Sequence, residues 1–323
     1  MRTSDFDYFL PHELIAQEPQ TPRDACKLLV LDRQTGKITH HKFFEITEYL
    51  HAGDVLVLNN TKVFRSRLLG NFQGNPKPSV EIFLLKPIKM STDECIWEAL
   101  GKPGHKLKFG TIIEFQEGLN GEIFKPASDG GLMQVRFECS YSDLMSKLES
   151  IGHIPVPPYI KKEPSTLEEY QTVYAAHTGS VAAPTAGFHF TSKLLERIQT
   201  LGVQIVEITL HVGIGTFRPV KTELVEEHIM HSEFVSVGEE SSRVISTAKK
   251  ENRRVIAVGT TVVRALEGLY ALQHNGTELR TLRRLTEPDG ASLRENSSRI
   301  LPVLRKVFDS TECFLIIKKC THK

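Results

Sequence analysis

The sequence predicts an α/β protein with an all-β module set into its α/β domain. Three observations predict it. Two continuous apolar runs, Lys27–Leu31 and Asp54–Asn59, read as strands buried on both faces of a mixed sheet. From about Leu69 the texture changes to short β-rich runs with Gly and Pro between them. After Ile151 the chain returns to strands alternating with helices.

The elements follow in order. Lys27–Leu31 closes at the turn Asp32-Arg33-Gln34-Thr35-Gly36, and Asp54–Asn59 follows the turn Ala52-Gly53. Val80–Leu85, Cys95–Leu100, Thr111–Phe115 and Leu132–Phe137 are the short runs, and strands at that spacing fit a small barrel or a sandwich. Ser142–Ser150 reads as a helix capped by Ser142. Ile154–Ile160, with three prolines, is a stiff extended connector, because proline fixes φ and biases its predecessor away from helix. Thr191 or Ser192 caps a helix to about Thr200, and Gly202 ends it. Val203–Val212 is a strand, Ser241 or Ser242 starts a helix to Glu251, and Arg254–Val258 is a strand. Thr260 and Thr261 open a last amphipathic helix carrying Val262, Val263, Leu266, Leu269 and Tyr270 on one side. The expected domains are thus 1–69 with 151–277, an insertion at 70–150, and a tail at 278–323.

Composition narrows the function classes. The chain has 323 residues, 40% apolar and 24% charged, which excludes a disordered or collagen-like chain. Net charge is +1, so bulk charge announces no nucleic-acid partner, although a local basic patch could serve one. Residues 271–323 hold ten Lys and Arg against six Asp and Glu, a balance of +4, which leaves −3 for residues 1–270. Cys26, Cys95, Cys139, Cys313 and Cys320 form no C-x-x-C pair, which predicts free thiols in a reducing compartment. With no signal-peptide pattern and no apolar run of about 18 residues, a cytoplasmic protein without membrane contact is expected.

Four stretches could carry chemistry. In Gly179–Thr191 (GSVAAPTAGFHFT), small residues allow close backbone approach, and His189 is the general-base candidate because an imidazole titrates near neutrality. The competing reading is a buried histidine satisfied by a backbone carbonyl. Phe188 and Phe190 read more readily as core than as stacking platforms. In Thr209–Pro219 a strand delivers His211 to Gly213-Ile214-Gly215-Thr216, a loop able to cradle a carboxylate or phosphate, or simply a strand-end turn. In Val255–Arg264 a strand, Gly259-Thr260-Thr261 and a helix place free N–H groups at a positive helix end; Thr260 could equally be only a cap. Asn59-Asn60-Thr61-Lys62 ends a buried strand, the usual place for ligands in open α/β sheets. His228-x-x-His231 has no third ligand spaced with it, so no metal site is expected.

Taken in order, LPHELIAQEP, RDACKLLVLDRQTGKITH, GDVLVLNNTKV with Arg67, IGHIPVPPYI, YQTVYA, GSVAAPTAGFHFT, TLHVGIGTFRPV, HIMHSE and RVIAVGTTVVRALE closely resemble S-adenosylmethionine:tRNA ribosyltransferase-isomerases of queuosine biosynthesis. The resemblance covers residues 1–277. It implies an α/β domain interrupted by a small inserted β-barrel. It also implies transfer and isomerisation of the ribosyl part of S-adenosylmethionine onto 7-aminomethyl-7-deazaguanine in the tRNA anticodon, giving epoxyqueuosine-tRNA, adenine and methionine. S-adenosylmethionine is then a consumed substrate, no cofactor or metal is required, and tRNA carrying the precursor is the partner. A monomer is expected.

On this resemblance His189 is the first candidate for catalytic base and His211 the second. Pro184, Thr185, Ala186 and Gly187, with Phe190, would wall the nucleoside. Gly213, Gly215, Thr216, Thr260 and Thr261 would hold a carboxylate or phosphate. Asn59, Asn60, Thr61, Lys62, Arg67 and Arg264 would face substrate or tRNA. Two departures stand out: Arg65 replaces a usual proline, and the family's Asn-Phe-His-Leu-Pro stretch and closing segment have no counterpart after Gly276. The second departure motivates an alternative, a catalytically impaired relative that still binds RNA or nucleoside, and the expectation of a loosely packed tail.

Overall fold

In a computed structural model, the structure describes residues 1–75, 79–127, 131–213, 215, 220–228 and 233–274. The expectation for the tail from 278 lies outside them. The chain forms two compact units. The larger comprises Met1–Lys62, Pro158–His177 and Ala183–Lys323, and the smaller comprises Val63–Pro157 with Thr178–Ala182.

The larger unit is built on a four-stranded mixed sheet. Its strands are β3 (Val55–Asn59), β12 (Gln204–His211), β13 (Phe234–Ser236) and β14 (Val255–Ala257), in the order β13-β12-β3-β14. β12 and β14 run parallel to β3, whereas β13 is antiparallel to β12. Every residue of β3 is buried, as a central parallel strand covered on both faces requires. Successive side chains alternate between faces. Leu56, Leu58, Ile256 and Val258 enter a core with Phe43, Leu50, Phe190, Leu194 and Ile198. Helices α3 (Glu239–Lys250) and α4 (Thr260–His274) also pack on this sheet.

The opposite edge is fastened by Arg254, whose guanidinium pairs with the buried Asp54 carboxylate and donates to the Tyr49 carbonyl. Helix α2 (Ser192–Thr200) starts at Thr191, whose hydroxyl accepts from the Leu194 N–H at 3.1 Å. It buries Leu194 and Ile198.

One apolar run does something else. Lys27–Leu31 is β1 of a two-stranded hairpin with β2 (Ile38–Lys42), and only Leu28 is buried along it. The sequence reading placed it inside the mixed sheet. Its exposed Leu29 and Leu31 show why that fails: the run is covered on one side only.

The smaller unit is a closed six-stranded barrel. The strands are β5 (Arg67–Phe72), β6 (Val80–Met90), β7 (Cys95–Lys102), β8 (Ile112–Glu114), β9 (Asn120–Lys125) and β10 (Met133–Phe137). They close in the order β10-β7-β6-β5-β8-β9. The short strands β4 (Thr61–Val63) and β11 (His177–Ser180) carry the chain between the units. Alternation fills the barrel with Leu68, Ile82, Leu84, Trp97, Ile113, Ile123, Val135 and Phe137, all buried. Gly70 belongs to this packing: a Cβ there would lie 2.7 Å from the Phe115 ring.

Helix α1 (Tyr141–Ile151) is capped by Ser140, not Ser142, through a 3.1 Å bond from the Asp143 N–H. After it, His153 and Arg67 exchange backbone hydrogen bonds of 2.8 and 3.3 Å, which brings the start of β5 beside the segment leaving α1. Arg65, the departure from the family's proline, donates to the Gly152 carbonyl at 3.2 Å. Helix α3 starts at Glu239 after Gly238, two residues before the serines read as its start, with two acids at its positive end.

Candidate functional site

The three parallel strands end at one edge, and the predicted motifs follow from it: Asn60-Thr61 after β3, Gly213 after β12, Gly259-Thr260-Thr261 after β14. Ligands in open α/β sheets lie outside such carboxyl ends.

Asn59 and Asn60 work inside this edge. Asn59 is fully buried; its Oδ1 accepts from the N–H groups of Leu210 (3.0 Å) and Thr61 (3.2 Å), and its Nδ2 donates to the Leu210 carbonyl at 3.1 Å. Asn60 donates to Glu207 at 2.9 Å and accepts from the Thr209 hydroxyl at 2.7 Å. These amides join β3 to β12. Thr61, also buried, bonds His211 Nδ1 at 2.7 Å through its hydroxyl, and the His211 ring stacks on Phe234 at 5.2 Å. Burial first, then the nearby His177, lowers the His211 pKa to about 4, so the imidazole is neutral at pH 7.

Thr185–His189 form a single tight turn. Gly187 is required there: a Cβ would fall 1.9 Å from the Tyr174 hydroxyl oxygen and 2.8 Å from Cγ2 of Thr172. Gly259, at φ +85°, abuts the same turn, since a Cβ on it would lie 3.0 Å from Cβ of Ala186. This contact brings the first and third motifs together. Arg23 holds the flank, with its guanidinium over the Phe188 ring at 5.6 Å and a 2.7 Å bond to the Glu168 carbonyl. Tyr170 meets the Phe188 ring edge-on at 5.6 Å.

His189 is 3% exposed and lies 5.1 Å from the Phe43 ring. Neither ring nitrogen has a hydrogen-bond partner among the described residues. The structure therefore does not show the buried histidine satisfied by a carbonyl. Thr172 Oγ1 and Thr261 Oγ1 are likewise buried without a partner among the described residues. A buried polar atom left so costs about 1–3 kcal/mol, and three residues with such atoms meet around this turn.

The remaining predicted residues divide. Gly213 N–H and Arg264 Nε both bond the Glu233 carboxylate, at 3.2 and 3.1 Å, and the Glu233 side chain is 6% exposed. Glu233 was missed from sequence; it lay in the HIMHSE match without a role. Phe190 is wholly buried in the apolar core. Arg67 pairs with Glu81 across β5 and β6 of the barrel, at 2.9 Å. Pro184 is buried, Thr185 and Thr260 are exposed, and Lys62 is half-buried. Gly215 is half-buried, and Thr216 and His231 lie outside the described residues. Among the described residues no three or more His, Cys, Asp or Glu gather as a metal site would need.

Comparison with known proteins decides the family. The family described as queuosine biosynthesis protein matches residues 3–288. The chain belongs to that family. It is 49% identical over 271 residues to the S-adenosylmethionine:tRNA ribosyltransferase-isomerase of Desulfitobacterium hafniense, covering 83% of this chain and 77% of that protein. The protein of the same name from Thermosipho africanus is 49% identical over 272 residues, covering 84% and 78%. A crystal structure of S-adenosylmethionine tRNA ribosyltransferase from Thermotoga maritima matches with 34% identity and a TM-score of 0.38, covering 82% of this chain and 73% of that one. The family match thus runs past residue 277, where the motif resemblance stopped.

Proposed function

We propose that this chain is an S-adenosylmethionine:tRNA ribosyltransferase-isomerase. It transfers and isomerises the ribosyl group of S-adenosylmethionine onto 7-aminomethyl-7-deazaguanine in the tRNA anticodon. The observation that carries the reading is the 49% identity to proteins of that name across 83% of the chain. The orphaned polar atoms around Gly187, at the edge where such sheets bind ligands, support it.

The reaction needs a base for the C5′ proton beside the sulfonium, donors for the leaving adenine, and a site that keeps the reacting atoms from water. His189 serves as base, because its ring nitrogens carry no internal bond that proton transfer would have to break. His211 is the second candidate; its Nδ1 is engaged by Thr61 and its low pKa makes it the weaker base. Ala186 and Gly187 wall the nucleoside. Thr260 and Thr261, at the positive end of α4, hold the methionine carboxylate, since Glu233 already engages Gly213 and Arg264 Nε.

S-adenosylmethionine is consumed rather than held as a cofactor, and tRNA carrying the precursor is the second substrate. The target base is turned out of its stack to reach the site. We further infer a cytoplasmic monomer with the barrel as an insertion in the α/β domain; no helix among the described residues is long and apolar enough to cross a membrane. The test is adenine release from S-adenosylmethionine with and without precursor-bearing tRNA. Release that depends on that tRNA supports the reading, and no release from either mixture overturns it.

A further inference from the structure

The segment Tyr170–Ala175 belongs to the motif set, yet none of the roles above uses its polar side chains. We propose that Thr172 is a substrate-binding residue, whose hydroxyl hydrogen-bonds the adenosine portion of S-adenosylmethionine. The inference rests on the function proposed above and assigns one more group to the same site.

Thr172 is 5% exposed, and its Oγ1 has no hydrogen-bond partner among the described residues. Its methyl carbon lies against the Gly187 turn, 2.8 Å from where a Cβ of that glycine would stand. The rest of the side chain is therefore packed, and only the hydroxyl lacks a counterpart. A threonine kept for packing alone could be valine, which has the same shape and no buried polar atom.

The neighbouring groups indicate what the hydroxyl meets. Around Gly187 stand the Tyr174 phenol, held protonated by burial and by Glu207, and the imidazole of His189. These groups both donate and accept, and the nearby Arg23 guanidinium is engaged by the Gln171 and Glu168 carbonyls and the Phe188 ring. Such a set suits a neutral partner that both donates and accepts, which describes adenosine and not a carboxylate or phosphate. Threonine contributes one donor and two acceptor positions, enough to read an amine and a ring nitrogen or a sugar hydroxyl.

The test is equilibrium binding to the full chain of S-adenosylmethionine and of 5′-methylthioadenosine, which keeps the adenosine but lacks the methionine carboxylate. Thr172→Val should weaken both ligands about tenfold, and Thr172→Ser, which keeps the hydroxyl, should bind both within about threefold of wild type. A purely packing role would give the reverse order, with Thr172→Val close to wild type and Thr172→Ser, which loses the packed methyl, the weaker binder. Unchanged binding by Thr172→Val overturns the assignment, and so does a loss confined to S-adenosylmethionine, which would put the hydroxyl at the methionine end. Wild-type protein that binds neither ligand overturns the proposed function itself and this inference with it.

Discussion

The Thr61 hydroxyl lies 2.7 Å from Nδ1 of His211, a bond between residues 150 positions apart. It joins the segment after β3 to the end of β12 and holds Nδ1 of the His211 ring on Thr61. The histidine is neutral because burial, and then His177, disfavour its charged form.

Acid should therefore loosen the larger unit. The His211 pKa of about 4 is below its unfolded value near 6.5, so the unfolded chain binds more protons between the two. The stabilisation is complete above about pH 6.5 and is lost as pH falls to about 4. Thermal melts across that window should show Tm falling with pH, and His211→Asn should flatten the slope. An unaltered slope in that variant would assign the titration elsewhere.

His189→Leu should separate stability from turnover. Removing two unpartnered ring nitrogens from the interior should leave Tm unchanged or raise it. Adenine release should drop about 10²–10⁴-fold, the usual share of a general base, with tRNA affinity nearly intact. Retained turnover would make His189 a packing residue and move the base to His211.

Gly187→Ala should be among the most damaging single-carbon additions in the chain. The new methyl would sit 1.9 Å from the Tyr174 hydroxyl oxygen, and overpacking of this kind costs about 1–3 kcal/mol. Tyr174→Phe in the same chain should restore only part of the stability, because Cζ at 2.9 Å and the Thr172 methyl at 2.8 Å remain in the way. Denaturant midpoints of the two single variants and the double variant measure the coupling.

Binding of tRNA should weaken as salt rises, because phosphate contacts release counterions, and Lys62→Ala should reduce the slope by about one. Filter binding at several salt concentrations gives the slope directly. A slope equal to wild type would remove Lys62 from the RNA face.

How legible the chain was depends on what each signal measures. An apolar run such as Val55–Leu58 announced a buried strand because every position is covered. Lys27–Leu31 looks the same in sequence but is covered on one side, and hydrophobicity alone does not count the faces. Strands β5 and β9 went unread because Arg67, Gly70 and Asn71 in one, and Asn120, Gly121 and Glu122 in the other, blur the alternation. The barrel tolerates Gly70 and Gly121 because Phe115 fills the space beside each.

The site shows the same limit in another form. His189 with Gly187, and Thr261, stood out in sequence as two separate stretches, and only the seat of Gly259 against Ala186 brings them together. Asn59 and Asn60 were read as facing a ligand, since a strand ending in amides looks available. Whether an amide is available depends on what lies opposite it, here Leu210, Glu207 and Thr209, about 150 residues away. Glu233 and Thr172 carry no local signal that distinguishes them from other acids or threonines. Only the positions of Arg264 and Gly187 give them meaning.

The two asparagines also share the fixing of the sheet edge. Being consecutive in an extended segment, they reach β12 from opposite sides of the sheet, like two bolts through one plate. Neither a twist nor a one-residue slip can release one bolt without breaking the other, because a slip exchanges their faces. The edge of the sheet thus behaves as a fixed mount. The neighbouring strand ends are held to the same mount, Gly213 by the Glu233 carboxylate and Gly259 by its seat against Ala186.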